Sequence, residues 1–386
     1  MSEWKCYKLN EISSLSNGIN FDKSAYTSGV KLIGVSDFKD RIHPDYDSLQ
    51  EVDSKVVKSG DYLEKGDIVF VRSNGNKELV GRCMMIDRDI PVTYSGFCIK
   101  LRLKDKKIFD PVFFNYLFKT RQFKKSMTGT AVGANIQNLS QSRLGSCEVN
   151  VPDIEIQKEI TTILSRYDSL IENYQKQIKL LEEAAQRLYK EWFVDLHFPG
   201  HENTKIVDGV PEGWKKKKVG DMISKIQRTK QVTTNNYQAS GKIPVIDQSR
   251  NYIAGYTDDA ECLVKVTVPY IVFGDHTRIL KYIPFSFAKG ADGTQLIMSN
   301  DLERMPQTLF YNSLIEIDLS NYSYARHFKY LKEESVLLPS EQVARKYDSI
   351  VSRYYQSIQR SREQIRLLTE ARDRLLLKLM SGEIAV

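Results

Sequence analysis

One stretch of this chain occurs twice, and that repeat constrains the fold more than any other feature. Residues 152–193 align without a gap, at an offset of 187 residues, with residues 339–380, and 14 of the 42 paired positions are identical. The identities include Pro152/Pro339, Ser165/Ser352, Arg166/Arg353, Tyr167/Tyr354, Gln177/Gln364, Leu180/Leu367 and Arg187/Arg374. A fixed period of self-similarity this long marks a duplication. Each copy opens on a proline and then runs on without glycine or another proline, the signature of a long helix. At about 1.5 Å per residue, each helix should be roughly 60 Å long. In the first copy Ile160, Ile163, Tyr167, Leu170, Tyr174, Leu181, Ala184 and Leu188 alternate by three and four, as in a coiled-coil seam. Gln177 and Gln364 share a seam position near the middle of their helices. If the helices pair antiparallel about a pseudo-twofold axis, equivalent residues meet only there, so the two glutamines are expected to lie together and set the register.

The globular parts repeat as well. Trp4 opens WKCYKLNEI, and Trp214 opens WKKKKVGDMI after the loop signal GVPEG, so the repeated unit is a domain followed by a helix. Four segments follow: a first domain at 1–151, a central helix at 152–198, a linker and second domain at 199–338, and a C-terminal helix at 339–386. In KGDIVFVRSNGN and again in VTVPYIVFGDHTR a buried strand runs into a polar loop, while FDPVFFNYLFKTRQFKKSM reads as helical. The expected fold class is α/β (mixed α+β) domains in two copies, joined by two long helices forming an antiparallel coiled coil with pseudo-twofold symmetry.

Composition adds exclusions. No apolar run has the length of a membrane helix and the first residues lack a signal-peptide core, so a cytoplasmic location with no membrane partner is expected. Five cysteines without a CxxC pair argue against a zinc site or disulfide frame, and no metal is expected. The net charge of +7, from 56 Lys and Arg against 49 Asp and Glu, permits nucleic-acid binding without requiring it.

Several segments, in order, resemble the specificity subunit of type I restriction-modification systems. They are EWKCYKL, GDIVFVRS, TGTAVGANIQNLSQSRLGSCEVNVP, PEGWKKKKVGDM, VFGDHTR, FAKGADGTQLI and SYARHFKYLKEESVLLP, together with the helix repeat. The resemblance implies two target-recognition domains, each contacting one half of a split sequence in double-stranded DNA, and helices that dock modification methyltransferase subunits. It implies a non-catalytic chain with no cofactor of its own, S-adenosylmethionine and ATP belonging to partner subunits. Two methyltransferase subunits per chain are the expected stoichiometry, and a restriction/translocase subunit is a further partner that the family admits. A coiled-coil scaffold without DNA specificity, or a nuclease or methyltransferase with a disguised active site, are the rival readings.

Base reading needs Arg, Asn, Gln or Lys side chains on loops at a groove, whereas phosphate contact needs only charge and donors. The DNA-binding candidates in the first domain are Arg72, Asn74, Asn76, Lys77, Asn135, Gln137 and Asn138. In the second they are His276, Arg278, Thr294, Gln295, Tyr324, Arg326 and His327, with Lys215 and Lys216 of the basic run as phosphate contacts. Arg121, Lys124 and Lys125 form another basic cluster, though such runs are usually solvated faces. No catalytic residue is expected. Asp110-Pro111-Val112-Phe113 lacks the second proline of an amino-methyltransferase motif, and Pro44-Asp45 with Asp53-Ser54-Lys55 is spaced too closely for a nuclease. His197 and His201 sit in the linker without a neighbouring Cys ligand, and no GxxxxGK[ST] loop is present.

Overall fold

The computed structural model describes residues 4–38, 42–73, 79–128, 138–227, 229–290, 293–322, 326–384 and 386. It divides into two compact units, Met1–Ile171 with Arg366–Val386, and Glu172–Ile365. The division falls inside the central helix, Ile154–Tyr189, and inside the C-terminal helix, Glu341–Met380. Each unit is therefore a domain, the start of the helix that follows it, and the end of the other helix.

In the first unit, strand Lys5–Lys8 pairs antiparallel with Glu148–Val151, Lys5 opposite Val151, so the opening strand closes on the strand that feeds the central helix. A four-stranded antiparallel sheet runs in the order Ser13–Asn17, Cys98–Leu103, Ile68–Val71, Cys83–Met85. Its middle strand IVFV is buried at every position, which explains the uninterrupted apolar run. A second sheet sets Tyr26–Ile33 between Gln50–Val52 and, in parallel, Val92–Tyr94. Asp110 caps the helix Pro111–Lys119 by accepting the Val112 amide at 3.0 Å. The Asp-Pro pair is thus a helix start. The helix packs Phe114 and Phe118 against Ile68, Phe70, Ile99 and Leu101, and the same core takes in Ile160 and Leu164 of the central helix and Leu376 and Leu379 of the C-terminal helix. Polar groups fasten the domain to the helices. Gln157 accepts the Asp110 amide at 2.8 Å and donates to the Ile108 and Pro152 carbonyls. Asp168 is buried, accepting from the Tyr116 hydroxyl and from Arg372.

The second unit repeats this plan. Lys215–Lys218 pairs antiparallel with Ser335–Leu338, which feeds the C-terminal helix. An antiparallel sheet runs Leu280–Ile283, Tyr270–Gly274, Thr294–Ile297, and a second sheet pairs Ile243–Ile246 in parallel with Phe287–Lys289. Ile271, Phe273, Ile297, Leu309 and Phe310 form one core with Tyr189 and Trp192 of the first helix copy and Tyr347, Val351 and Ile358 of the second.

The helices run antiparallel. Ser361 Oγ donates to Gln177 Oε1 at 3.2 Å and the Tyr347 hydroxyl to the Ala185 carbonyl at 3.3 Å, one number falling as the other rises, and Arg362 also donates to Glu182 at 3.0 Å. The mixed α+β domains in two copies and the antiparallel helix pair agree with the sequence reading. The seam itself needs correction. Leu170 is 47 % exposed, and Gln177 and Gln364 are exposed rather than buried in a seam. Gln177 bonds Ser361, one turn before Gln364, and Ser361 is the buried polar residue. The reason is that each helix covers its own domain as well as its partner. The buried positions Ile160, Leu164, Asp168 and Ile171 therefore follow a stripe lying partly one residue beyond the heptad reading.

Candidate nucleic-acid interface

In each domain three chain segments meet at the end of a central strand. In the first, the Arg72 and Ser73 amides donate to the Phe97 carbonyl at 2.8 and 3.3 Å, and the Leu139 amide donates to the Arg72 carbonyl at 2.7 Å. Ser73 and Asn138 form an antiparallel bridge, and Arg72 Nη1 lies 3.4 Å from the Gly96 carbonyl. The strand end, the turn at 95–97 and the chain entering the helix Gln141–Gly145 are thereby clamped together.

The second domain builds the same clamp from different residues. The Asp275 amide donates to the Gly293 carbonyl at 2.7 Å, and the His327 amide donates to the Asp275 carbonyl at 3.0 Å. Asp275 thus takes the place of Arg72, Gly293 that of Phe97, and His327 that of Leu139. The Asp275 carboxylate accepts the Phe328 amide at 2.8 Å and so caps the helix His327–Glu333. Beside the clamp, Gln248 Oε1 accepts the His276 amide at 3.1 Å, and the Gln248 carbonyl accepts the Thr277 hydroxyl at 2.7 Å. A Cβ on Gly293 would come within 2.6 Å of Gln248 Nε2 and 2.8 Å of the His276 ring, so glycine, at φ +86°, is required there. Lys281, 4 % exposed, secures the Gln248 loop by donating to the Asp247 and Asn251 carbonyls, with Asp247 Oδ1 at 3.7 Å. Burial pulls its pKa down to about 8, against the attraction of Asp247.

The clamps gather several residues singled out from the sequence. Arg72 and Asn138 meet in the first domain; His276 and Arg326 stand exposed at the second, where Gln295 is half-buried. Arg278 is exposed at φ +61°, its guanidinium donating to the Leu319 carbonyl at 3.1 Å. Two readings are corrected. Thr294 is 1 % exposed, facing Gly274 in the sheet. His327 is 5 % exposed, with its ring nitrogens 2.8 Å from the Asp275 and Tyr322 carbonyls, so both serve the clamp and neither can reach a base. Lys215 and Lys216 are exposed, but on the strand ladder that leads into the C-terminal helix. Asn74, Asn76, Lys77, Asn135, Gln137 and Tyr324 lie outside the described residues. Sequence reasoning missed Gln248 and Phe97. The first follows the apolar strand IPVI in the polar run DQSRN, the same strand-to-loop pattern that exposed Arg72.

Comparison with known proteins supports the DNA-specificity reading. Residues 1–183 match the model of the type I restriction modification DNA specificity domain. Over these residues, just under half of its length, the chain is similar to type I restriction-modification specificity proteins. It is 27% identical over 299 residues to the type I restriction enzyme MjaIX specificity subunit of Methanocaldococcus jannaschii, covering 70% of this chain and 68% of that one. It is 28% identical over 202 residues to the HindI specificity subunit of Haemophilus influenzae, covering 50% and 42%. The crystal structure of the type I restriction-modification S subunit from M. genitalium shares the fold, with a TM-score of 0.58 at 18% identity over 98% of this chain and 96% of that one. Among the described residues, no helix is long and apolar enough to cross a membrane, and no group of three or more His, Cys, Asp or Glu could hold a metal ion.

Proposed function

We propose that this chain is the non-catalytic, DNA-reading subunit of a type I restriction-modification complex. Each domain reads one half of a bipartite duplex target, and methyltransferase subunits dock on the long helices. The observation that carries this reading is the repeated clamp. One backbone scaffold holds Arg72 and Asn138 in the first domain and His276, Gln248 and Arg326 in the second. A common scaffold with different side chains is what two different half-sites require, because backbone positioning is shared while base edges are read by side chains. Asn74, Asn76, Lys77, Asn135, Gln137 and Tyr324, on the segments leading to or from these clamps, are proposed as further contacts. Lys215 and Lys216 are proposed as phosphate contacts beside the helix.

The docking surface is proposed from the helix repeat. Arg166, Gln177, Leu180, Glu183 and Arg187 are exposed, as are their identical counterparts Arg353, Gln364, Leu367, Glu370 and Arg374. Spacings of eleven, three, three and four place them on one helix face. Exposed positions have little part in folding, so identity there, in copies that differ at 28 of 42 positions, points to a common partner bound once by each helix. S-adenosylmethionine is then held by the methyltransferase, and ATP by any restriction/translocase subunit that joins.

The test is to purify the chain with the methyltransferase encoded beside its gene and to map methylated bases with and without the chain. A split motif that appears only with the chain, one half of which changes when residues 1–151 are exchanged for those of a relative, supports the reading. Methylation that ignores the chain overturns it and favours a scaffold.

A further inference from the structure

Resting on that reading, we propose that Phe97 is a specificity-determining residue of the first domain: its ring makes apolar contact with a base of the first half-site. At 61 % exposure, Phe97 is the most exposed large apolar side chain of the first unit among the described residues. Its position is built with care. Its carbonyl takes the Arg72 and Ser73 amides, the Gly96 amide donates to the Ile19 carbonyl at 2.7 Å, and the Cys98 amide closes the turn on the Ser95 carbonyl at 2.9 Å. A Cβ on Gly96 would sit 2.0 Å from Asn20 Oδ1, so the turn is packed from below as well. An aromatic ring held toward solvent by a rigid turn, beside an arginine and an asparagine, forgoes burial that a core position would give it. A single exposed apolar side chain is ordinary on a protein surface; what singles out Phe97 is its place in the clamp beside Arg72.

Beside duplex DNA the ring has two partners of one chemistry. It can pack on a thymine methyl in the major groove or wedge between bases and unstack them. Both are apolar base contacts, and neither is open at the corresponding place in the second domain, which Gly293 occupies without a side chain. At this place in the clamp the two half-sites therefore meet different chemistry, an aromatic ring in the first and backbone alone in the second.

The experiment uses the chain assembled with its methyltransferase on its mapped target. Duplexes carry 2-aminopurine, or deoxyuridine in place of thymidine, at successive positions of each half. In the wild-type complex we expect either a rise in 2-aminopurine fluorescence or a loss of affinity on methyl removal, at a position in the first half only. Phe97→Ala should abolish that signal and weaken binding by about 10- to 100-fold, with Phe97→Trp close to wild type. The fluorescence result assigns a wedge and the deoxyuridine result a methyl contact. A wild-type complex that selects its sequence yet shows neither signal overturns the proposal and leaves the DNA-reading function standing. The same holds if Phe97→Ala binds within about twofold of wild type. A wild-type complex with no base preference in either half overturns both.

Discussion

At the residue scale, the most informative groups are polar side chains kept from water. Lys281 lies under the Gln248 loop, where its ammonium satisfies two carbonyls. Its pKa, lowered to about 8 by burial, lies below the value near 10.4 expected when unfolded. Below pH 8 both states carry the charge, and the cost of burying it is present in full. As pH rises from about 8 toward 10, the folded state releases the proton first, so the contribution of Lys281 to stability increases. Urea unfolding at pH 7.5 and 9.5 should show wild type gaining on Lys281→Met, by some fraction of the ~1.4 kcal/mol per pH unit that one proton can contribute. Burial raises the pKa of Tyr282 and Tyr311, which oppose this only near pH 10 and are common to both proteins. A gap that stays constant or widens against wild type contradicts the assignment. None of this was legible in the sequence. Lys281 reads there as an ordinary polar residue in ILKYIP, and His327 as an exposed member of a basic stretch. Their burial is set by carbonyls about 30 and 50 residues away, at Asn251 and Asp275, which no local pattern encodes.

At the element scale the sequence was more transparent, because helices and strands declare themselves by period. The repeat located both long helices, and the apolar runs IVFV and YIVF located the central strands. Period alone did not identify the buried face. A helix that covers a domain on one side and another helix on the other has two apolar stripes, and the heptad count merged them, placing Leu170 and Gln177 inside. Leu180 and Leu367, at 64 % and 44 % exposure, lie outside both stripes and are open to a partner. Each should be the apolar centre of a docking surface rimmed by charge, where truncation or charge insertion typically costs about 2 kcal/mol or more. Leu180→Arg or Leu367→Arg alone should leave one methyltransferase copy bound, and the double variant none, with the melting temperature of the isolated chain within a few degrees of wild type. Mass determination of the purified complexes reads this directly. Two copies retained by the double variant would place docking elsewhere.

At the scale of the whole molecule, the repeated unit has no privileged first copy. Each domain closes its opening strand on the strand that feeds its own helix, Lys5–Lys8 on Glu148–Val151 and Lys215–Lys218 on Ser335–Leu338. Each ladder is thus closed before the chain moves on, while the first core also takes in Leu376 and Leu379 from the far end of the chain. The far end of the chain also returns to its beginning, for a Cβ on Gly382 would lie 3.5 Å from Trp4 Nε1. Between the copies, the short hairpin Ile206–Val207 with Val210–Pro211 turns through Asp208 at φ +50° and Gly209 at φ +73°, all exposed save Val210 and Pro211. Exposed turns of this kind are where a chain can be cut without loss of buried hydrogen bonds. A permutant opened between Asp208 and Gly209, with Val386 joined to Met1 by a short Gly/Ser linker, reverses the order of the domains and, apart from this two-residue hairpin, leaves every ladder and core intact. It should fold, take up the same methyltransferase stoichiometry and direct methylation to the same split motif. A soluble permutant that methylates a different motif would mean that chain order, rather than the contacts within each unit, sets the spacing of the half-sites.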